Sequence, residues 1–212
     1  MLGPMSFAKQ ERDRLANLFL DLGPDAPTLC EGWNTRDLAI HLYIRENKLH
    51  KAGGNFIGAL KPVLEKETKQ QEQRPYEDVV RDWAAGPPKL LAPIDGMMNT
   101  AENFVHHEDV RRGDGVARPR DFSAGVDRTL MGLAQRFAKL TMRSSDTPII
   151  LTPPTLPPVT VGGGRKVAER GDDVIRAKGE PGELLLWIMG RDVVEIDFEG
   201  DEEKIAALQV KS

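Results

Sequence analysis

The chain has 212 residues, of which 40% are hydrophobic and 29% are charged, a composition that supports a buried core in one large or two small globular domains. It has no run of about 18 apolar residues and no basic segment followed by an apolar stretch at its N-terminus, so we expect no membrane span, no secretory signal and a cytoplasmic protein. The net charge of -4 and the pI of about 5.7 give no general attraction to nucleic acid or to an anionic membrane.

The single cysteine, Cys30, excludes an internal disulfide framework and cannot form a thiolate metal cage alone. Any metal ion is therefore expected to be held by histidine and carboxylate. Because Cys30 lies in a loop just before a predicted helix, it is either a thiol activated by the helix dipole or a small buried residue.

Helical periodicity dominates the first two thirds of the chain. The segment 61–74 is strongly polar, which indicates a solvated helix surface or a loop. The predicted helices cover 7–22, a segment from Asn34 or Thr35 to Gly53 and Gly54, 76–85, 100–112 with Gly113 as its stop, and 123–143.

The pattern changes at Pro148, where short β-like runs appear among prolines and glycines. The predicted strands cover 149–151, 159–161, 174–177 and 193–198, and the predicted helices of this region cover 183–189 and 201–208. The chain is thus expected to be an α+β protein, with a helical bundle over 5–146 and a small α+β domain over 147–212.

The four histidines are placed unevenly on the predicted helices. His41 and Arg45 are one helical turn apart and share a face of the second helix. His50 is nine residues from His41, on the opposite side of the same helix, which makes it a poor partner for His41. His107 is rotated away from His106 on its own helix.

Glu102 and His106 are four residues apart, a spacing that places a carboxylate and an imidazole on one helix face. With His41 they would form a facial set that leaves coordination positions open, as in catalytic metal sites; zinc suits it, with nickel, iron and manganese as alternatives. The alternative interpretation is that Glu102 and His106 form an ordinary pair at the protein surface. Asp109 is expected either to accept a hydrogen bond from the His106 ring or to pair with Arg112.

Three strings of the sequence resemble a known family. They are residues 29–42 (LCEGWNTRDLAIHL), 99–112 (NTAENFVHHEDVRR) and 179–191 (GEPGELLLWIMGR). The first two are similar to the metal-binding domain of the mycothiol-dependent maleylpyruvate isomerases, an actinobacterial branch of the DinB-like four-helix bundles, and the third is similar to the C-terminal domain of that family. Trp33, His41, Glu102 and His106 match its motif positions.

The resemblance implies a DinB-like four-helix bundle that binds one divalent metal ion through His41, Glu102 and His106, followed by the small α+β domain. It also implies a small thiol cofactor such as mycothiol and a small electrophilic substrate. Arg45 and Arg191 are candidate catalytic residues that would bind carboxylates of substrate or cofactor. The alternatives are a salt bridge inside the bundle for Arg45 and a role at a helix end for Arg191.

Three functions remain open at the level of the sequence. The first is a metal-dependent enzyme that uses a thiol for isomerisation or transfer. The second is a non-catalytic protein that binds a metal ion or a small ligand through the same residues. The third is a plain bundle whose histidines are buried and hydrogen-bonded without a metal ion.

Overall fold

A computed structural model describes residues 5–47, 61–86, 96–143, 145–163 and 174–208 of the chain. It divides into two compact units, Met1–Gly115 and Val116–Ser212. The described helices and strands, in chain order, are α1 (Phe7–Leu22), α2 (Thr35–Asn47), α3 (Lys61–Glu72), α4 (Tyr76–Ala84), α5 (Gly96–Arg111), α6 (Ala124–Thr141), β1 (Pro148–Thr152), β2 (Val159–Gly162), β3 (Ile175–Lys178), α7 (Pro181–Ile188), β4 (Asp197–Glu199) and α8 (Glu202–Ala207).

The first unit is a helical bundle in which α1 packs mainly along α5 and α2 packs on α4. Its core is apolar and closely packed around Leu15, Phe19, Leu42 and Trp83, whose side chains are all fully buried. The polar segment 61–74 forms helix α3, which packs against α2. The bundle thus brings helices that are distant in sequence into contact.

Helix α2 begins where the sequence predicts, because two side chains cap it. The Asn34 side chain accepts a hydrogen bond from the Asp37 backbone N–H at 3.0 Å, and the Asp37 carboxylate accepts one from the Asn34 N–H at 3.0 Å. This reciprocal capping box fixes the first turn of the helix that carries His41. The predicted end of the helix at Gly53 and Gly54 lies outside the described residues.

The second unit contains a four-stranded sheet in the order β2-β1-β3-β4. β1 runs antiparallel to β2 and parallel to β3, and β3 runs antiparallel to β4. Every residue of α7 is buried, and this helix starts at Pro181, because a proline in the first turn is preorganised for the helix. The fold is therefore α+β, as predicted.

The two compact units meet in sequence at Gly115 and Val116. Helix α6 packs mainly against α7 and also contacts β2, so it belongs with the second unit. The boundary between 146 and 147 stays a prediction about domain organisation. No helix within the described ranges is both long and apolar enough to cross a membrane.

Candidate metal centre

The loop before α2 is fastened to the last turn of α5. The Leu29 backbone N–H donates to the Asp109 carbonyl oxygen at 3.0 Å. Gly113 makes the close approach feasible, because a Cβ at this position would lie 2.0 Å from the Pro27 carbonyl oxygen. The contact holds the loop that carries Cys30 and Trp33 beside the polar face of α5.

Three candidate ligands converge between α2 and α5. His41, Glu102 and His106 each offer one ligand atom, and these atoms all lie within 4.8 Å of one another. His106 Nε2 is 3.2 Å from Glu102 Oε2, and the two imidazole rings are 5.5 Å apart between centroids. The structure therefore brings together the three residues that the sequence singled out.

Asp109 orients the His106 ring. Its Oδ2 lies 2.9 Å from His106 Nδ1, which confirms the expected hydrogen bond from the ring, and its side chain is fully buried. Because Nδ1 is held by Asp109, Nε2 is directed toward Glu102. A carboxylate on the far nitrogen is the usual way in which proteins fix the orientation of a metal-binding histidine.

His41 is held in the neutral form that a metal ion requires. Burial lowers the pKa of its imidazole to about 4, and the nearby positive charges of His106 and Arg45 act in the same direction, against the carboxylate of Glu102. At neutral pH His41 thus has a lone pair to offer.

The Trp33 ring lies 5.1 Å from the His41 ring between centroids and is 39% exposed.

Glu102 is ionised at neutral pH. Burial raises the pKa of its carboxyl group, but the hydrogen bond and charge of His106, with the positive charge of Arg45, outweigh burial and bring the pKa down to about 2. It therefore offers an anionic oxygen beside the two imidazoles.

His106 behaves in the opposite way to His41. Burial disfavours its charged form, but hydrogen bonds to Asp109, Cys30 and Glu102 hold the pKa of His106 well above its ordinary value. These contacts therefore favour the protonated ring when no metal ion is bound. A metal ion that binds this ring must displace a proton.

Arg45 contacts Glu102 and the neighbouring Asn99. Its Nε lies 3.5 Å from Glu102 Oε2, and its guanidinium donates to Asn99 Oδ1 at 2.8 Å. This contact matches the salt bridge considered as the alternative for Arg45, and carboxylate binding by Arg45 stays a prediction. In the second unit, the Arg191 guanidinium donates to the Met189 carbonyl oxygen at 2.6 Å, just after α7.

The remaining histidines are elsewhere. His107 Nδ1 lies 2.8 Å from Glu11 Oε2, and Glu11 is a fully buried residue of α1. His107 therefore faces α1, as its rotation relative to His106 predicts. His50 lies outside the described residues.

Sequence reasoning missed the position of Cys30. Its thiol donates to Asp109 Oδ2 at 3.3 Å and lies 3.9 Å from His106 Nδ1, so that Cys30, His106 and Asp109 form a second group of potential ligands. The expectation that only histidine and carboxylate are available to a metal ion is therefore too narrow. The Cys30 thiol is part of the hydrogen-bond chain that ends at His106.

The donor set fits a divalent metal ion. It combines a neutral imidazole, a carboxylate and an imidazole oriented by a buried acid, and ligands of this kind suit zinc and its neighbours among the transition metals. A facial set of three protein ligands also leaves positions for water or for a ligand. The arrangement can thus support metal-assisted chemistry.

No family model matches the chain, and no curated protein matches it in sequence. Among solved structures, the chain is similar to the crystal structure of a mycothiol-dependent maleylpyruvate isomerase, with a TM-score of 0.59 and 13% sequence identity. The match covers 91% of this chain and 90% of the isomerase chain. The chain is thus similar in fold, over nearly its whole length, to the mycothiol-dependent maleylpyruvate isomerase.

Proposed function

We propose that the protein is a metal-dependent enzyme that uses a low-molecular-weight thiol, of the mycothiol type, for isomerisation or transfer on a small electrophilic substrate. One observation carries the proposal: His41, Glu102 and His106 present three ligand atoms within 4.8 Å from two different helices. The similarity in fold to a mycothiol-dependent isomerase supports the choice of a thiol as cofactor.

Zinc is the metal ion that we expect, with nickel, iron and manganese as alternatives, because two imidazoles and one carboxylate suit all four. The ion would supply Lewis acidity, which lowers the pKa of a coordinated thiol and makes the thiolate available at neutral pH. Asp109 would hold the His106 ring, and Arg45 would hold the Glu102 carboxylate, so that their ligand atoms stay in place.

Other residues of the chain would bind the organic ligands. Trp33 is partly exposed beside His41 and offers an aromatic surface to a small molecule. Arg191 remains our candidate for binding a carboxylate of substrate or cofactor, since a guanidinium pairs with a carboxylate through two hydrogen bonds.

A second candidate function is a non-catalytic protein that binds a metal ion or a small ligand. The engagement of Arg45 with Glu102 and Asn99 favours it, because a guanidinium already bonded within the site is less available to a substrate carboxylate. Turnover that depends on both the metal ion and the thiol distinguishes the two functions.

The first experiment measures metal binding by titration calorimetry with Zn²⁺ and Ni²⁺. We expect one ion per chain in the wild type, a loss of this binding in both His41→Ala and His106→Ala, and retention in His50→Ala. Retained stoichiometric binding in both of the first two variants contradicts the three-ligand site. Circular dichroism of each variant confirms that the bundle remains folded.

The second experiment tests catalysis on the metal-loaded protein, with mycothiol and small electrophiles that include maleylpyruvate. The enzyme hypothesis predicts product formation that requires both the ion and the thiol and that is lost in His41→Ala. Tight metal binding without thiol binding or turnover supports the non-catalytic protein instead.

A further inference from the structure

The His106 ring has a set of ligand atoms on each of its two edges. At the Nε2 edge lie Glu102 and His41, which form the candidate site described above. At the Nδ1 edge lie Asp109 Oδ2, at 2.9 Å, and Cys30 Sγ, at 3.9 Å. The second set combines a thiol, a buried carboxylate and an imidazole nitrogen.

The spacing of the second set is close to that of a tetrahedral metal site. Bond lengths of about 2.3 Å to sulfur and about 2.1 Å to nitrogen or oxygen place the ligand atoms of such a site about 3.4–3.6 Å apart. The observed separations are 3.3 Å between Cys30 Sγ and Asp109 Oδ2, 3.9 Å between Cys30 Sγ and His106 Nδ1, and 2.9 Å between His106 Nδ1 and Asp109 Oδ2. Each pair therefore needs to move by only about 0.5 Å or less.

The second set is also held in place independently of a metal ion. The loop that carries Cys30 is anchored to α5 through the hydrogen bond from Leu29 to Asp109 and through the close approach of Pro27 to Gly113. The Cys30 side chain is only partly buried, so an ion has access to it. Two of the three ligands come from one turn of α5.

We propose that Cys30, Asp109 and Nδ1 of His106 form a second metal position that is selective for thiophilic ions such as Cd²⁺. An ion at this position prevents a second ion from binding at the first position, with His41 and Glu102, and the reverse also holds. The selectivity follows from the thiolate, because soft sulfur ligands favour soft metal ions. The inference shares His106 with the proposed function, but it does not require that the protein be an enzyme.

Exclusion follows from the chemistry of the imidazole ring. A neutral imidazole has one nitrogen with a lone pair and one N–H. When Nε2 binds an ion, Nδ1–H donates to Asp109; when Nδ1 binds an ion, Nε2–H donates to Glu102. The carboxylate that is a ligand at one position thus accepts the ring N–H when the other position is occupied. Binding at the second position releases the Cys30 thiol proton and the His106 Nδ1 proton to solvent.

The experiment is a titration of the full-length protein with Cd²⁺, followed by the ultraviolet absorption that thiolate ligation to Cd²⁺ produces. Two variants separate the positions: His41→Ala removes a ligand of the first position only, and Cys30→Ser removes the thiolate of the second only. We expect the absorption in the wild type and in His41→Ala and its absence in Cys30→Ser, with Cd²⁺ binding in Cys30→Ser weakened by at least about tenfold. Cys30→Ala provides a second thiol-free variant.

Absence of the thiolate absorption in the wild type or in folded His41→Ala overturns the inference. Equilibrium dialysis at a Cd²⁺ concentration well above the measured Kd is expected to give one bound ion per chain, whereas two ions per chain overturn the exclusion. The outcome is separable from the proposed function, because Cys30→Ser leaves only the first position for Zn²⁺: a folded Cys30→Ser protein that binds no Zn²⁺ contradicts the first position alone. Circular dichroism confirms the fold of each variant.

Discussion

The two sides of helix α5 make different use of the same residue type. His106 and His107 are consecutive and nearly buried, and each has a carboxylate at its Nδ1. On the His106 side, the ring also meets Glu102 and a second imidazole from α2. On the His107 side, the ring meets Glu11 of α1, the helix that packs most extensively on α5.

We infer that a buried histidine–carboxylate pair is not enough to predict a metal site. What distinguishes the His106 side is a convergence of ligand atoms from separate helices, including the neutral imidazole of His41. The His107 side contains a pair that satisfies buried polar groups between two helices, and we expect it to contribute to folding alone.

The largest expected effect is on metal affinity. His106→Ala removes a ligand and should weaken Zn²⁺ binding by more than about 100-fold, a loss of more than about 2.7 kcal/mol. His107→Ala should leave the affinity within about threefold of the wild type, since its ring faces α1. Titration calorimetry on both variants checks this difference. Equal losses in the two variants would remove the distinction between the two sides.

Asp109→Asn should have the next largest effect on the metal ion. The amide keeps the shape of the side chain but weakens the acceptor that orients His106, so Zn²⁺ affinity should fall by about 10–100-fold. Competition with a chelator measures the change. An unchanged affinity in a folded Asp109→Asn protein would mean that the His106 ring needs no support from this carboxylate.

On the His107 side, we expect a substitution to change the free energy of unfolding and not the metal affinity. Glu11→Ala leaves the buried His107 ring without its carboxylate and should lower the free energy of unfolding by about 1–3 kcal/mol, with metal content unchanged. Asp13→Ala, on the same helix, removes an exposed pair with Lys9 and should cost only about 0.5 kcal/mol or less. Urea denaturation compares the two variants, and a similar cost in both would show that the buried pair adds nothing.

The smallest effect is expected at Asn103, which lies on the His107 side of α5. Its Nδ2 donates to the Ala8 carbonyl oxygen at 3.0 Å, but its buried Oδ1 has no hydrogen-bond partner among the described residues. Asn103→Leu keeps the branched shape of the side chain and removes both the unsatisfied oxygen and the Nδ2 donor, and it should change the free energy of unfolding by no more than about 1 kcal/mol. Thermal denaturation measures it, and a loss above about 3 kcal/mol would reveal a missing partner.

The sequence predicts the helices of the fold well where local signals are strong. Helix α1 ends at Leu22 because Gly23 and Pro24 stop it, and α6 begins after Ser123, whose side chain accepts a hydrogen bond from the Val126 N–H. In place of the strand predicted over 193–198, the structure has a shorter strand at Asp197–Glu199, which pairs with β3. Strand length depends on the partner strand, which local pattern does not specify.

The candidate site is predictable only in part. The spacing of Glu102 and His106 and the position of His41 on a predicted helix are visible in the sequence, and the resemblance joins them. The contact between Cys30 and Asp109 spans 79 positions. It depends on the docking of a loop against Gly113, and this tertiary contact leaves no periodic signal.

The most direct test of the account is the metal content of the protein purified without a polyhistidine tag, measured by elemental mass spectrometry. We predict about one zinc or similar transition-metal ion per chain. A folded protein that contains no metal ion and binds none when Zn²⁺ or Ni²⁺ is added would contradict it, and would leave His106, like His107, as a histidine that serves only the fold.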